Sequence, residues 1–159
     1  MSLLDDVSIV VTPNGYKAGE LYAVIPVPTE GSEQVTDGGF PTGTTAWTYS
    51  TPPWSISGDS ANCDGTQGAV SHLYQVLYTI GNSYKTVVSV IVTTGTLNIA
   101  TGTPSATITI TSSGTYEFTG LASSSSTMYI SAQVGFVGSI ENVSVKEYTS
   151  ADMDVTRAT

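Results

Sequence analysis

With 159 residues, 40% of them hydrophobic and only 11% charged, the chain is long enough for one packed domain with extensions. It is too poor in Leu, Glu, Lys and Arg for a helical bundle. Its formal net charge is −9, and Lys17, Lys85, Lys146 and Arg157 are the only basic residues, which argues against a phosphate backbone or an anionic membrane surface as partner.

Residues 1–28 form a distinct opening segment. "DDVSIVV" holds a short apolar run from Val7 to Val11, "NGY" reads as a turn, and "ELYAVIPVP" is a second extended run broken by Pro26 and Pro28. This start lacks the basic, apolar and small-residue regions of a signal peptide, so the sequence predicts a chain made in the cytoplasm without a standard export signal. Residues 29–34 carry no periodicity and read as a linker. From 35 to 147, ten short extended runs follow one another: "AWTY", "WSISG", "SANCDG", "HLYQVLYTI", "TVVSVIVTT", "TLNIA", "ATITITSS", "TYEFTGL", "TMYISAQVGF" and "SIENVSVKEY". Gly, Asn, Asp and Ser clusters separate them. Many short strands at regular spacing predict an all-β protein, an antiparallel sandwich of the jelly-roll type.

Within that frame, Ile108 and Ile110 share one face and Thr107, Thr109 and Thr111 the other, as in a half-buried strand. "VVSVIV" is more continuously apolar and is expected to lie mid-sheet, covered on both faces. In the last run, Val143 and Val145 lie in phase while Ile140 does not, which predicts a bulge near Glu141–Asn142 and pairing back toward Gly38–Gly39. Residues 148–159 form a polar tail.

No catalytic constellation emerges, and the expectation is a protein that is not an enzyme. Cys63 is the only cysteine, which excludes an intrachain disulfide, and His72 is the only histidine. Nothing marks Cys63 as activated. Asp59 and Asp64 sit in turn sequences, where a carboxylate usually bonds its own backbone. One Cys and one His do not make a zinc site.

The stretches "TDGGFPTGTTAWTY", "LYTIGNSYKTVVSVIV" and "FVGSIENVSVKEY" resemble the galactose-binding-like jelly rolls of carbohydrate-binding modules over residues 35–147. Sugar sites of such domains use aromatic faces with a few polar groups. Trp47, Tyr49, Trp54, Tyr74, Tyr78 and Tyr84 are the aromatic candidates. The resemblance implies that Trp54 and Tyr84 are core residues. Trp47 and Tyr49 alternate with Thr48 and are expected to share an exposed face, which makes them the glycan-binding candidates. It also implies a structural calcium between the opening turn and the last strand, at Asp37 and Glu141, although Pro41 stands where an acid is frequent and Glu141 where Asp is usual.

A second resemblance lies in the flanks. "LLDDVSIVVTPNGYKAGELYAVIP" and "ADMDVTRAT" are similar to segments of tailed-bacteriophage virion proteins. This implies a virion structural protein, a capsid decoration or head-fibre anchor attached through its terminal arms to a major capsid protein or another virion protein. Val7, Ile9, Val11, Leu21, Tyr22 and Ile25 are the expected contacts, since extended arms add strands to neighbouring sheets. A closed homo-oligomer, taken as a trimer, is expected. The alternatives are a tail-borne adhesion module for host glycan, and the carbohydrate-binding module of a hydrolase.

Overall fold

The computed structural model describes residues 15–17, 20–22, 27–49, 53–102 and 107–150. The chain divides into two units, Glu30–Thr149, and Met1–Thr29 together with Ser150–Thr159. In the second of these, β1 (Gly15–Lys17) pairs antiparallel with β2 (Glu20–Tyr22), Tyr16 opposite Leu21. Gly15 and Tyr16, expected in a turn, are therefore strand residues. Val7, Ile9, Val11 and Ile25 lie outside the described residues, and for Leu21 and Tyr22 the structure gives backbone pairing alone.

The larger unit is built from β3 (Thr29–Glu33), β4 (Thr48–Tyr49), β5 (Trp54–Ile56), β6 (Ala61–Asp64), β7 (Ser71–Val76) and β8 (Ser83–Thr94). It continues with β9 (Leu97–Thr101), β10 (Thr107–Ile110), β11 (Gly114–Leu121), β12 (Thr127–Ala132) and β13 (Val137–Thr149). One sheet has the order β10-β9-β12-β7-β4 and the other β11-β8-β13-β6-β5, with β3 paired to β13. The registers within both sheets are antiparallel. This is the two-sheet jelly roll that the strand spacing predicts.

Period-two alternation decides which side chains meet between the sheets. Leu97 and Ile99 of β9, Met128 and Ile130 of β12, and Leu73 of β7 face Val88 and Val90 of β8, and Ile140 and Val145 of β13, as the core. Trp54, Tyr78 and Tyr84 are buried with them. Ile110 is buried and Thr107 and Thr109 are exposed, as the alternation requires. "VVSVIV" departs from expectation. It lies mid-sheet, but Val88 and Val90 are buried while Ile91 is 50% exposed, so the strand is covered on one face only.

β13 closes the domain. Its register against β8 shifts between Ile140 and Asn142, leaving Glu141 as the extra residue of a bulge. That shift brings Val143 and Val145 inward in phase with Ile140. The turn at Gly38 then locks onto it. Val143 N–H donates to Gly38 O at 2.9 Å, and a Cβ on Gly38 would sit 2.0 Å from Val143 O. Only glycine permits that approach.

Residues 29–34 are not a linker. Thr29–Glu33 forms strand β3 on the edge of β13, although all five residues are exposed. Its cohesion is polar. Glu33 Oε1 accepts the backbone N–H of Val145 at 2.8 Å and of Val35 at 3.0 Å, and Oε2 accepts the Ser144 hydroxyl. Glu30 bridges Lys85 at 2.8 Å and Lys146 at 3.3 Å, and these two lysines stand directly opposite each other on β8 and β13. Without Glu30 that cross-strand pair would be repulsive. Burial works against the ionised form of Glu33. The Ser144 hydroxyl and the N–H groups of Val145, Val35 and Gln34 outweigh it and hold the carboxyl below the ordinary carboxylate range.

Two outcomes test this closure. Gly38→Ala should lower stability by about 2 kcal/mol, the scale of an overpacked contact, read as a lower urea midpoint at unchanged slope. Glu33→Gln should lose about 1 kcal/mol at neutral pH. Because the folded carboxyl titrates below its ordinary value of 4.5, that difference from the parent should be full above this pH and shrink as acid protonates Glu33. A difference that grows in acid would contradict the assignment.

Candidate functional site

The outward face of the five-stranded sheet carries the side chains that alternate with the core. From β7 these are His72, Tyr74 and Val76, and from β12 Thr127, Tyr129 and Ser131. Asn98 and Ala100 of β9, Thr107 and Thr109 of β10 and Thr48 of β4 complete the face. The registers arrange them in rows across the strands. One row reads Thr48, Tyr74, Tyr129, Ala100, Thr107. The next reads His72, Ser131, Asn98, Thr109.

The aromatic groups form a continuous surface. Tyr74 and Tyr129 have ring centroids 5.4 Å apart, and His72 meets Tyr129 edge-on at 5.6 Å. Such tilted and edge-on pairs are the favoured geometry for aromatic quadrupoles. His72 Nδ1 lies 2.8 Å from Ser131 Oγ, which ties the imidazole to its neighbour in the polar row. Tyr129 is 36% exposed and Val76 69% exposed, so solvent reaches the row. Apart from the one imidazole, none of these residues carries a charge-bearing acid or base. Asn98 Oδ1 is covered and has no hydrogen-bond partner among the described residues.

Trp47 does not belong to an exposed face. It is 3% exposed, its ring lies 5.0 Å from that of the fully buried Phe40, and its indole N–H donates to Asp37 O at 3.0 Å. The register explains why: Tyr49 pairs with Leu73 and Thr48 with Tyr74. Trp47 and Tyr49 do share a face, but it is the core side, and Thr48 is the one that joins Tyr74 outside. Tyr49 remains 43% exposed because β4 is the edge strand of its sheet. Tyr129, absent from the sequence candidates, is the central residue of the row. Its place between Met128 and Ile130 in strict alternation is the signal that points to it.

The loop 36–47 behind this sheet is held by a buried amide. Gln75 Oε1 accepts Thr36 N–H at 2.9 Å, and its Nε2 donates to Thr36 O and Ala46 O, each at 3.0 Å. Asp37 and Phe40 adopt left-handed φ values of 54° and 50° in the same loop. Trp47 and Gln75 stabilise that strained turn from inside.

The carboxylate of Asp37 accepts the Thr44 hydroxyl at 2.6 Å, and that of Glu141 accepts the Ser139 hydroxyl at 2.5 Å. Among the described residues no three His, Cys, Asp or Glu side chains group to hold a metal ion. A calcium at Asp37 and Glu141 would need most of its 6–8 oxygens from backbone and water. Cys63 and His72 lie on different sheets, and Cys63 is buried toward the core with its thiol pushed up by burial. Asp64 accepts the N–H and hydroxyl of Thr66, at 3.0 and 2.7 Å, the expected turn geometry.

Fold and face together define an antiparallel jelly roll with an aromatic and hydroxyl-rich sheet surface free of Asp, Glu, Lys and Arg. No protein-family model and no curated protein matches the chain. Among solved structures it is similar to the carbohydrate-binding module TmCBM61 in complex with β-1,4-galactotriose, at 13% identity and a TM-score of 0.49, over 72% of this chain and 97% of that one. It is also similar to the module BiXyn10A CBM1, at 18% identity and a TM-score of 0.42, over 79% and 98%. A third is the N-terminal cellulose-binding domain of β-1,4-glucanase C from Cellulomonas fimi, at 13% identity and a TM-score of 0.38, over 78% and 100%.

Trp47→Ala should act on folding. A truncated core tryptophan costs about 3–5 kcal/mol, so chemical denaturation should show a large loss of stability. A variant as stable as the parent would place the indole outside the core.

Proposed function

We propose that the jelly roll binds glycan without catalysis, on the outward face of the five-stranded sheet, and that the terminal segments carry it on a phage virion. The observation that supports glycan binding is the Tyr74–Tyr129 surface set beside the His72, Ser131 and Asn98 row. A pyranose offers an apolar C–H face and a rim of hydroxyls. Aromatic rings match the first and neutral hydrogen-bonding groups the second. Ser131 and Asn98 supply donors and acceptors without charge, which suits hydroxyls.

The virion setting is supported by the resemblance of the opening and closing segments to tailed-phage virion proteins. On this reading the arm and tail serve attachment to a capsid or tail protein, and the sheet face serves adhesion. A decoration or anchor role and a glycan-binding role are then parts of one protein.

Titration calorimetry with β-1,4-linked galacto-, xylo- and cello-oligosaccharides tests the face. Tyr129→Ala and Tyr74→Ala should each weaken binding roughly tenfold, about 1.4 kcal/mol, while Ile91→Ala, on the other sheet, should leave it unchanged. Binding that survives both tyrosine substitutions would remove the sheet face from consideration. For the virion setting, deletion of residues 1–28 should abolish incorporation into particles. Normal incorporation of that truncation would contradict attachment through the arm.

A further inference from the structure

The outer face of the sheet that holds β8 and β13 carries a trough of about 290 Å³, reaching across β6 to β5. Two irregularities in the pairing of β13 with β8 shape it. Thr93 is skipped where Val137 pairs with Thr94 and Gly138 with Val92, and Glu141 is the extra residue on the other strand. Bulges bend the strand that carries them and raise its local twist. One row across the trough reads Ser55, Asn62, Ser139, Ile91. Asp64 and Val137 stand opposite each other in the next row. Ile91, 50% exposed, and Val137 give the trough an apolar side.

The polar side chains held in place here are acceptors. Asn62 Nδ2 donates to Ser57 O at 3.2 Å and to Ser60 Oγ at 3.1 Å, which leaves its Oδ1 to accept. The Ser139 hydroxyl donates to Glu141, which leaves its oxygen to accept. Asp64 Oδ1 takes both donors of Thr66, and among the described residues Oδ2 takes none. The Thr66 hydroxyl and N–H hold the Asp64 carboxyl below the ordinary carboxylate range, so it is charged at neutral pH. Lys85 and Lys146 lie toward the far ends of β8 and β13 and are held by Glu30, so among the described residues of this unit no cation offsets Asp64.

We infer that the trough receives the arginine side chain of a partner protein. A neutral ligand laid over Asp64 would strip water from an ion without compensating its charge, which is costly. A cation compensates it. The remaining acceptors decide which cation. Asn62 and Asp64 are two residues apart on β6, roughly 7 Å. A lysine ammonium is a compact point charge and meets one end of that span. A guanidinium is a planar fork with donors on both edges, so it meets the Asp64 carboxylate and the Asn62 amide oxygen together. Its aliphatic stem lies along Ile91 and Val137. The volume falls just under the ~300 Å³ of sites that enclose small molecules, which suits one side chain carried by a larger partner.

Proton–nitrogen correlation spectra of the full chain test it. The probes are N-acetylarginine methylamide, the matching lysine compound, methyl β-glucopyranoside and a short peptide with arginine at its centre. The arginine compound should shift the amides of Asn62, Asp64, Gly138 and Ser139 saturably in the millimolar range, and the peptide should bind more tightly. The lysine compound should bind roughly tenfold more weakly, and the glucoside should leave these amides in place. Asp64→Asn keeps an oxygen for the Thr66 donors, so the turn is retained, and it should weaken the arginine compound roughly tenfold. Ile91→Ala should weaken it about threefold, while Tyr129→Ala, on the other sheet, should leave it unchanged. The absence of a saturable shift, lysine binding as tight as arginine, a glucoside that shifts the same amides, a peptide no tighter than the arginine compound, or an Asp64→Asn protein that binds like the parent would each overturn the inference.

Discussion

The fold depends on one close backbone approach, Gly38 against Val143. β13 is the longest strand, and it has β8 along one side and β6, then β3, along the other. The sheet is complete only when β3 and Gly38 reach that second side. The bulge at Glu141 sets Val143 where its N–H meets Gly38 O, and the missing side chain of Gly38 lets the two backbones come together. From that contact the chain turns through left-handed Asp37 and Phe40 and passes to the other sheet at Thr48. The position of β4, and of Thr48 within the aromatic row, follows from it.

The outward face is therefore an indirect product of the core. Each residue of β7 that faces inward fixes the phase of one facing out. Leu73 fills the core, and Gln75 ties the 36–46 loop through three hydrogen bonds. Tyr74 is left between them on the outside. In β12, Met128 and Ile130 do the same for Tyr129. The aromatic surface needs no loop to shape it, so its ring spacing is set by strand register. A rigid scaffold of this kind limits the entropy lost when a ligand is held.

Much of this was legible in residue order. The ten strands from β4 to β13, the bulge at Glu141 and the core places of Trp54 and Tyr84 follow from periodicity, turn residues and resemblance. β3 was not legible, because "TEGSE" has no apolar alternation. Its place comes from Glu30 and Glu33, whose partners Lys85, Ser144, Val145 and Lys146 lie far along the chain. Local pattern carries no trace of such pairings. Trp47 shows a subtler limit. Alternation told that Trp47 and Tyr49 share a face, and that is true. Which side the face turns to is decided by the pairing of Tyr49 with Leu73, a fact of register between strands. Tyr129 is a different case: its alternation with Met128 and Ile130 marks an outward face, but only the register of β12 against β7 sets its ring beside Tyr74.

The pairing of β3 with β13 has a mechanical consequence. Gln34 N–H bonds Val145 O, and Gly31 lies against Glu147, so the two strands run in opposite directions and the chain enters the unit at Thr29 beside where it leaves at Thr149. Tension applied between those two points would load their shared bonds one after another, like a zipper opened from its end. It would not load them together, as a lap joint in shear. The first bonds to give would be those nearest Thr29. The Glu33 carboxylate, with its four donors, then stands as the stop that resists the next step, ahead of Gly38 and the rest of the jelly roll.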